Sequence, residues 1–240
     1  DPESQTYVAD RVAREGDRVS MRTRSRYGVA EGSTRVPFAV PIDKVEYSVE
    51  TSIDTNSFIF IDNSYDYFHY LRVTIRYRLT FTDRPGDDFY LVAGNPYLDD
   101  PIISENETAM DGVLNKYHYC SFFSDSSIKN KSYTLTLFSD YFCIPDGEGG
   151  YYLPYEITHH NKKENIRLIA MSSDYYYYIL SLFKKYSGIE GILDNFGLAE
   201  PRSVFSNVSS GAGVVAAGSV TAYSLDVRPI IIDAITNFNP

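Results

Sequence analysis

The chain has 240 residues, with 22 Lys or Arg against 32 Asp or Glu, so its formal net charge is -10. This acidity argues against a general binder of nucleic acid or anionic membranes, because both need a positively charged surface. Hydrophobic residues make up 43% of the chain and charged residues 22%, which indicates a folded core and excludes whole-chain disorder.

The sequence shows no apolar run of the roughly 18 residues that a membrane-spanning helix needs, and no signal peptide. The chain begins at Asp1 without a Met, which indicates either processing from a longer precursor or trimming by an experimenter. Its two cysteines, Cys120 and Cys143, are too few for a disulfide framework or a zinc site. We expect reduced, buried or half-buried thiols.

Residues 1–40 are predicted to form an Arg-rich arm ahead of the folded domain. Residues 1–35 hold seven Arg against six acids, whereas the rest of the chain is strongly acidic. The arm has few apolar anchors, so we expect other chains to hold it in place. Its arginines either form a solvated lead-in or contact phosphate groups. The candidates for such a contact are Arg11, Arg14, Arg18, Arg22, Arg24 and Arg26.

Two segments alternate strictly between apolar and other residues. The first, 45–53, predicts a strand with one apolar face. The second, 71–81, is longer and ends at the turn residues 83–86. We expect its arginines on one face and its apolar residues buried on the other. The buried set is Leu71, Val73, Ile75, Tyr77, Leu79 and Phe81.

Further strands are predicted at Phe89 to Ala93, Tyr117 to Phe123, Tyr133 to Cys143, Tyr151 to Ile157, Ile166 to Ser172 and Ser219 to Val227. Many strands, turn-rich connections and 15% aromatic residues predict an all-β protein, either an antiparallel sandwich or a barrel. The predicted organisation is the arm at 1–40, the β domain at 41–230 and a tail at 231–240, with both terminal arms extended.

Two segments depart from the strand pattern. In residues 175–186 the apolar positions suit a helix, with Asp174 as a cap, but the run of four tyrosines suits a strand equally well. The surrounding β pattern favours the strand. Residues 206–220 carry no charge and are rich in Ser, Gly, Ala and Val. We expect this backbone to pack against another surface, in this chain or in another subunit.

The residues that could carry chemistry form no recognised site. His69, His118, His159 and His160 lack metal-ligand spacing, and no G-x-S-x-G, G-x-x-x-x-G-K or G-x-G-x-x-G pattern is present. Acidic pairs such as Asp87-Asp88 could hold calcium, but exposed acidic loops are the commoner explanation. We therefore expect no metal, no cofactor and no enzymatic activity.

Three short segments occur in an order that resembles a virus capsid protein. They are Glu15-Gly16-Asp17-Arg18-Val19-Ser20-Met21-Arg22 with Arg26-Tyr27, then Tyr70-Leu71-Arg72-Val73-Thr74-Ile75-Arg76-Tyr77, then Gly150-Tyr151-Tyr152-Leu153-Pro154-Tyr155. Together, over about residues 15–230, they resemble the jelly-roll subunit around the five-fold axes of picorna-like viruses of the dicistrovirus, iflavirus and marnavirus type. The second match is partial, since Val73 stands where that family has glycine.

This resemblance implies an antiparallel eight-stranded jelly-roll β-sandwich at 41–230, and a structural protein of an icosahedral RNA-virus shell. The implied partners are companion capsid proteins, copies of the chain itself and genomic RNA through the arm. The implied location is the virion, assembled in the host cytoplasm. Asp87-Asp88-Phe89 resembles a maturation-cleavage motif of the insect viruses, but it follows the third strand instead of ending the barrel, so that role is not carried over.

Two other classes of protein share the predicted fold. A jelly-roll carbohydrate-binding module would use exposed tyrosines as stacking platforms, and the chain has 22 Tyr but no Trp. A cupin-like enzyme would need clustered histidines with a carboxylate as metal ligands, which the spacing of the four histidines does not offer.

Overall fold

The structure is a computed structural model that describes residues 12–26, 28–54, 58–61, 64–67, 69–86, 88–94, 103–104, 112–114, 120–153, 163–186 and 203–238. These residues form mostly β-strands in antiparallel sheets, as the composition predicted. The strands are β1 (Arg18–Ser25), β2 (Gly28–Arg35), β3 (Ile42–Asp54), β4 (Phe58–Ile61), β5 (Ser64–Tyr67), β6 (Tyr70–Thr82), β7 (Phe89–Ala93), β8 (Ile103–Ser104), β9 (Gly112–Leu114), β10 (Cys120–Ser124), β11 (Ser132–Pro145), β12 (Tyr151–Tyr152), β13 (Lys163–Met171) and β14 (Gly218–Asp226). The helices are α1 (Ser173–Tyr186) and α2 (Arg228–Thr236), with a short 3-10 helix at Asp125–Ser127.

The chain divides into two compact units. The first consists of Asp1–Ala39, Asp88–Tyr90 and Ile169–Val220. The second consists of Val40–Asp87, Leu91–Leu168 and Thr221–Pro240. The Arg-rich segment therefore shares its unit with residues from the C-terminal third of the chain.

The second unit contains one sheet of strands β12, β11, β6 and β3 in that order, with β8 paired to β11. Strand β6 pairs with β11 on one side and with β3 on the other. Most of a second sheet, with the order β14, β13, β7, β10 and β9, belongs to the same unit. A hydrogen bond from the Tyr141 hydroxyl to Glu164 Oε2, at 2.6 Å, joins β11 of one sheet to β13 of the other. The two sheets therefore face each other, consistent with a β-sandwich.

The prediction for residues 71–81 is confirmed. They lie in β6, and all six apolar side chains predicted to be buried are 0% exposed. On the opposite face Arg72 and Arg76 are half-buried and Arg78 is exposed. Strict alternation predicted the face correctly because successive side chains of a strand point to opposite sides of the sheet.

Most other predicted strands are present with shifted ends. The segments predicted from Phe89, Tyr133 and Ser219 are β7, β11 and β14. The segment predicted from Ile166 is β13, which begins three residues earlier, at Lys163. Parts of the strands predicted at 117–123 and 151–157 lie outside the described residues.

Residues 175–186 are helical, so the preference for a strand was wrong. Helix α1 begins at Ser173, and the Ser172 hydroxyl accepts a hydrogen bond from the Tyr175 N–H at 3.3 Å, which caps its first turn. Tyr176 and Ile179 are buried on one side of the helix. The helical spacing of apolar residues therefore overrides the strand preference of the tyrosines.

The described part of the predicted N-terminal arm, from residue 12 onwards, is not an extended segment, and residues 1–11 lie outside the described part of the chain. Strands β1 and β2 form an antiparallel hairpin, and β2 packs against the uncharged segment 203–217 of the same chain. Ser209 donates its N–H to the Glu31 carbonyl at 2.8 Å. A Cβ at Gly32 would lie 2.7 Å from Val215, so only glycine permits this close approach. The surface that residues 206–220 were expected to contact is thus part of their own unit.

The predicted C-terminal tail contains helix α2 instead of an extended arm. Pro229 lies in its first turn, where proline is tolerated because the missing N–H would have no partner there. Ile231 is fully buried, and the helix lies beside β3 and β6 of the second unit. Residues 239–240 lie outside the described part of the chain.

The buried thiol of Cys143 gives an expected dependence of stability on pH. Burial raises the pKa of Cys143 from 9.0 to about 12, because the fold disfavours the thiolate. The unfolded chain therefore ionises first, so this stabilisation is complete below pH 9 and is lost as the pH rises from 9 towards 12. Between pH 8 and pH 10 we expect Cys143 to account for a loss of about 1.4 kcal/mol in the free energy of unfolding.

Urea unfolding of the wild type and of Cys143→Ala at both pH values measures this loss. The alanine variant is less stable at pH 8 because of its cavity, but its stability should fall by about 1.4 kcal/mol less on going to pH 10. Tyrosine ionisation contributes equally to both proteins and cancels in the comparison. Equal losses in the two proteins would show that the thiol is not protected by burial.

Candidate functional site

Strand β3 carries an apolar face that remains partly exposed. The alternation predicted at residues 45–53 is present, but the apolar side chains are not covered as those of β6 are. The residues directly opposite on β6 are 0% exposed. The exposed side chains are Tyr47 (47%), Val49 (37%) and Ile53 (38%).

One long side of β3 has no paired strand among the described residues. The strand is 13 residues long and pairs with β6 along its other side. An edge strand presents backbone N–H and C=O groups to whatever approaches it, and natural proteins usually shield long edges. A long edge next to exposed apolar side chains therefore marks a surface suited to contact with another chain.

Helix α2 turns the apolar face of β3 into one wall of a groove. The groove has a volume of about 520 Å³. Polar groups are supplied by Asp233 and Asn237, whose side chains are joined by a hydrogen bond of 2.8 Å. The apolar lining comes from both elements, namely Tyr47, Val49, Ile230, Ala234 and Phe238. We call the exposed face of β3 and this groove together the β3 surface.

The opposite face of the same sheet is polar, and several of its charged side chains are paired within the sheet. Arg76 forms a salt bridge with Glu50 at 3.2 Å, and Thr74 donates a hydrogen bond to Asp140. On β3 itself Lys44 Nζ lies 2.7 Å from Glu46 Oε1, and the hydrogen bond that Lys44 donates lowers the pKa of Glu46. These contacts stabilise a solvated polar face.

The hairpin brings three of the predicted RNA-facing arginines onto one face. Arg18, Arg22 and Arg24 alternate along β1, so their side chains share one side of the ribbon. Arg14 lies before the hairpin and Arg26 at its tip, while Arg11 lies outside the described residues. Sequence reasoning missed Arg35, which lies directly across from Arg18.

The Asp87-Asp88-Phe89 triplet shows a packing contact in the first unit. The ring of Phe89 stacks on that of Tyr176 in α1, with centroids 4.4 Å apart. Asp87 lies outside the described residues. The contact gives the aromatic ring at position 89 a packing role in this unit.

No metal centre is formed within the described part of the chain. There, no group of three or more His, Cys, Asp or Glu side chains is placed to hold an ion. His69 is exposed, and the other three histidines lie outside the described residues. None of the described helices is both long and apolar enough to cross a membrane.

Comparison with known proteins identifies the family. The chain belongs to the family described as Domain of unknown function (DUF4249), whose profile matches residues 1–224. The match includes the hairpin, both sheets and helix α1. Comparison with curated proteins and with solved structures gave no match.

Proposed function

We propose that this protein is a structural β-sandwich that functions by associating with further copies of itself through the β3 surface. The observation that carries the proposal is the exposure of Tyr47, Val49 and Ile53 on a 13-residue edge strand, opposite fully buried residues of β6. A neighbouring strand would pair with the open edge and cover these side chains.

The sequence of β3 is compatible with antiparallel pairing to a second β3. In a two-fold arrangement centred on Val49, Val45 lies across from Ile53 and Lys44 lies across from Asp54. No like charges meet between residues 44 and 54 in this register, whereas centring on Ser48 would place Glu46 across from Glu50 twice. Symmetric contacts of this kind are self-complementary, as a two-fold interface requires.

Net charge opposes this association. Each copy carries a formal charge of -10, so two copies repel at low ionic strength. Salt screens that repulsion but leaves apolar burial intact. Association through the β3 surface should therefore strengthen as salt is raised from 20 to 500 mM, which distinguishes it from association through ion pairs.

The narrower assignment to an icosahedral capsid stays a prediction, as does the eight-stranded jelly roll. The capsid assignment is supported by the order of the three segments that resemble capsid proteins and by the proposed self-association. Electron microscopy of the expressed material tests it: closed shells support the capsid assignment, and small oligomers limit the function to assembly at a lower order. A carbohydrate-binding module would instead appear as a monomer that binds on a glycan array.

A charged residue at position 49 should abolish the association. In Val49→Glu the carboxylate would be buried against apolar side chains in the assembled form, whereas in the free chain it remains exposed to water. We expect sedimentation velocity to show at least a tenfold weaker association, which corresponds to 1.4 kcal/mol. The matched control is Ser48→Glu, which adds the same charge one residue away, on the polar face across from Arg76.

The control variant separates the effect of disrupting the β3 surface from the effect of adding a negative charge. If both variants weaken association equally, added charge alone is responsible and the β3 surface is not the interface. A wild-type protein that stays monomeric at high salt and micromolar concentration would overturn the proposal. Unchanged circular dichroism spectra establish that both variants are folded.

A further inference from the structure

The exposed face of the β1–β2 hairpin is basic, although the chain as a whole is acidic. Arg22 is paired with Glu31 at 2.8 Å, both largely exposed. Three further arginines on the face lie within the same ribbon, so its charge is +3. The residues on this face are Arg18, Ser20, Arg22, Arg24, Val29, Glu31, Ser33 and Arg35.

The register of the hairpin places two positively charged side chains next to each other. Arg18 lies directly across from Arg35 in the register, and like charges at such positions destabilise a pair of strands. A neutral partner, the Ser33 hydroxyl, accepts hydrogen bonds from Arg18 Nε and Nη2 at 3.3 and 2.9 Å. These bonds orient the guanidinium, and no ion pair compensates its charge among the residues that the structure describes. An anion beside it would remove this cost.

A cavity of about 570 Å³ lies beside these arginines, within the first unit. Guanidinium groups of Arg18 and Arg22 contribute positive charge to it. Glu31, which pairs with Arg22, also lines the cavity. Neutral hydrogen-bonding side chains complete the polar lining, namely Ser20, Ser33, Asn207 and Ser209. Segment 203–217, which supplies the last two of these, is fixed to β2 by the bond between Ser209 and Glu31.

We propose that this cavity binds the phosphate groups of a polyanion. Guanidinium forks match the geometry of phosphate oxygens, and serine hydroxyls can donate to the remaining oxygens. The hairpin face offers no aromatic side chain for base stacking, so recognition is by charge and not by base identity. The same chemistry serves the backbone of a single-stranded nucleic acid or a free polyphosphate chain.

Isothermal titration calorimetry of the full chain in 20 mM salt tests the site with two probes. One is tripolyphosphate and the other is a ten-residue oligouridine. We expect at least one to bind, and the double variant Arg18→Gln, Arg22→Gln to weaken that binding at least tenfold. Loss of two phosphate contacts should also reduce the salt dependence of oligouridine binding by about 1.4 in the log–log slope.

The matched control is Arg72→Gln, Arg78→Gln, which removes the same charge from the polar face of β6. Binding of tripolyphosphate as well as oligouridine assigns the site to phosphate groups in general, and binding of oligouridine alone assigns it to a nucleic-acid backbone. No binding of either probe, or equal weakening in the control variant, would overturn the proposal. Thermal unfolding checks that each variant is folded, and the result is independent of association through β3.

Discussion

Replacing Ile75 by alanine should lower the free energy of unfolding by about 2–5 kcal/mol. Ile75 lies at the centre of β6 and is 0% exposed, so the truncation removes buried apolar surface and leaves a cavity that the two facing sheets cannot fill. Such a loss is a large part of the total stability of a domain. Urea unfolding followed by circular dichroism measures it.

Val49 provides the comparison, because it lies directly across from Ile75 in the register and is 37% exposed. Val49→Ala in the monomeric protein should cost less than about 1 kcal/mol, since less apolar area is lost and water can fill the space. If Ile75→Ala and Val49→Ala lower the free energy of unfolding by the same amount, the side chain of Val49 is covered in solution. Repeating the measurement at several protein concentrations shows whether another copy covers it.

The contrast between β3 and β6 shows what alternation can predict. Segments 45–53 and 71–81 both alternate strictly between apolar and other residues, and both form strands. Alternation fixes which side chains share a face, but burial depends on what lies opposite that face. Residues 71–81 lie in the middle of their sheet, whereas 45–53 lie at its edge beside α2. The exposed β3 surface could therefore not be predicted from its own sequence.

Local composition led to wrong predictions for the chain ends and for α1. Strand β1 alternates Arg and Ser with Val, Met and Thr, so its apolar face is too weak to indicate a strand. The surface that packs against its partner strand β2, segment 203–217, is about 180 residues away in sequence. In α1 the run of tyrosines suggested a strand, but Tyr176 and Ile179 are buried at helical spacing. Contacts distant in sequence decided each case.

The basic hairpin face could be predicted in part. The arginines of 18–24 were recognised as a group because they are concentrated in an acidic chain. Their position on one face requires the register of β1 with β2, which also brings in Arg35 and Glu31. Asn207 and Ser209 line the cavity through a contact that no local pattern indicates.

A polar group inside the sandwich was likewise beyond prediction. The strand at β13 was expected to begin at Ile166, yet Glu164 occupies an inward position of the same strand and is 1% exposed. Tyr141, on the facing sheet, donates its hydroxyl to this carboxyl group. Burial raises the pKa of the neighbouring Tyr77, and the charge of Glu164 raises it further, while hydrogen bonds of Ser139 and Tyr141 oppose the shift.

Tyr141→Phe should lower the free energy of unfolding by about 1.5–3 kcal/mol, because a buried acceptor loses a donor that water cannot replace. Adding Glu164→Met to this variant should restore part of the loss, since the remaining pair is apolar and similar in shape. We expect the double variant to be at least 1 kcal/mol more stable than the sum of the single effects predicts. Urea unfolding of the four proteins of the cycle gives this coupling energy directly. Strictly additive effects would mean that the hydrogen bond between the two sheets does not contribute to stability.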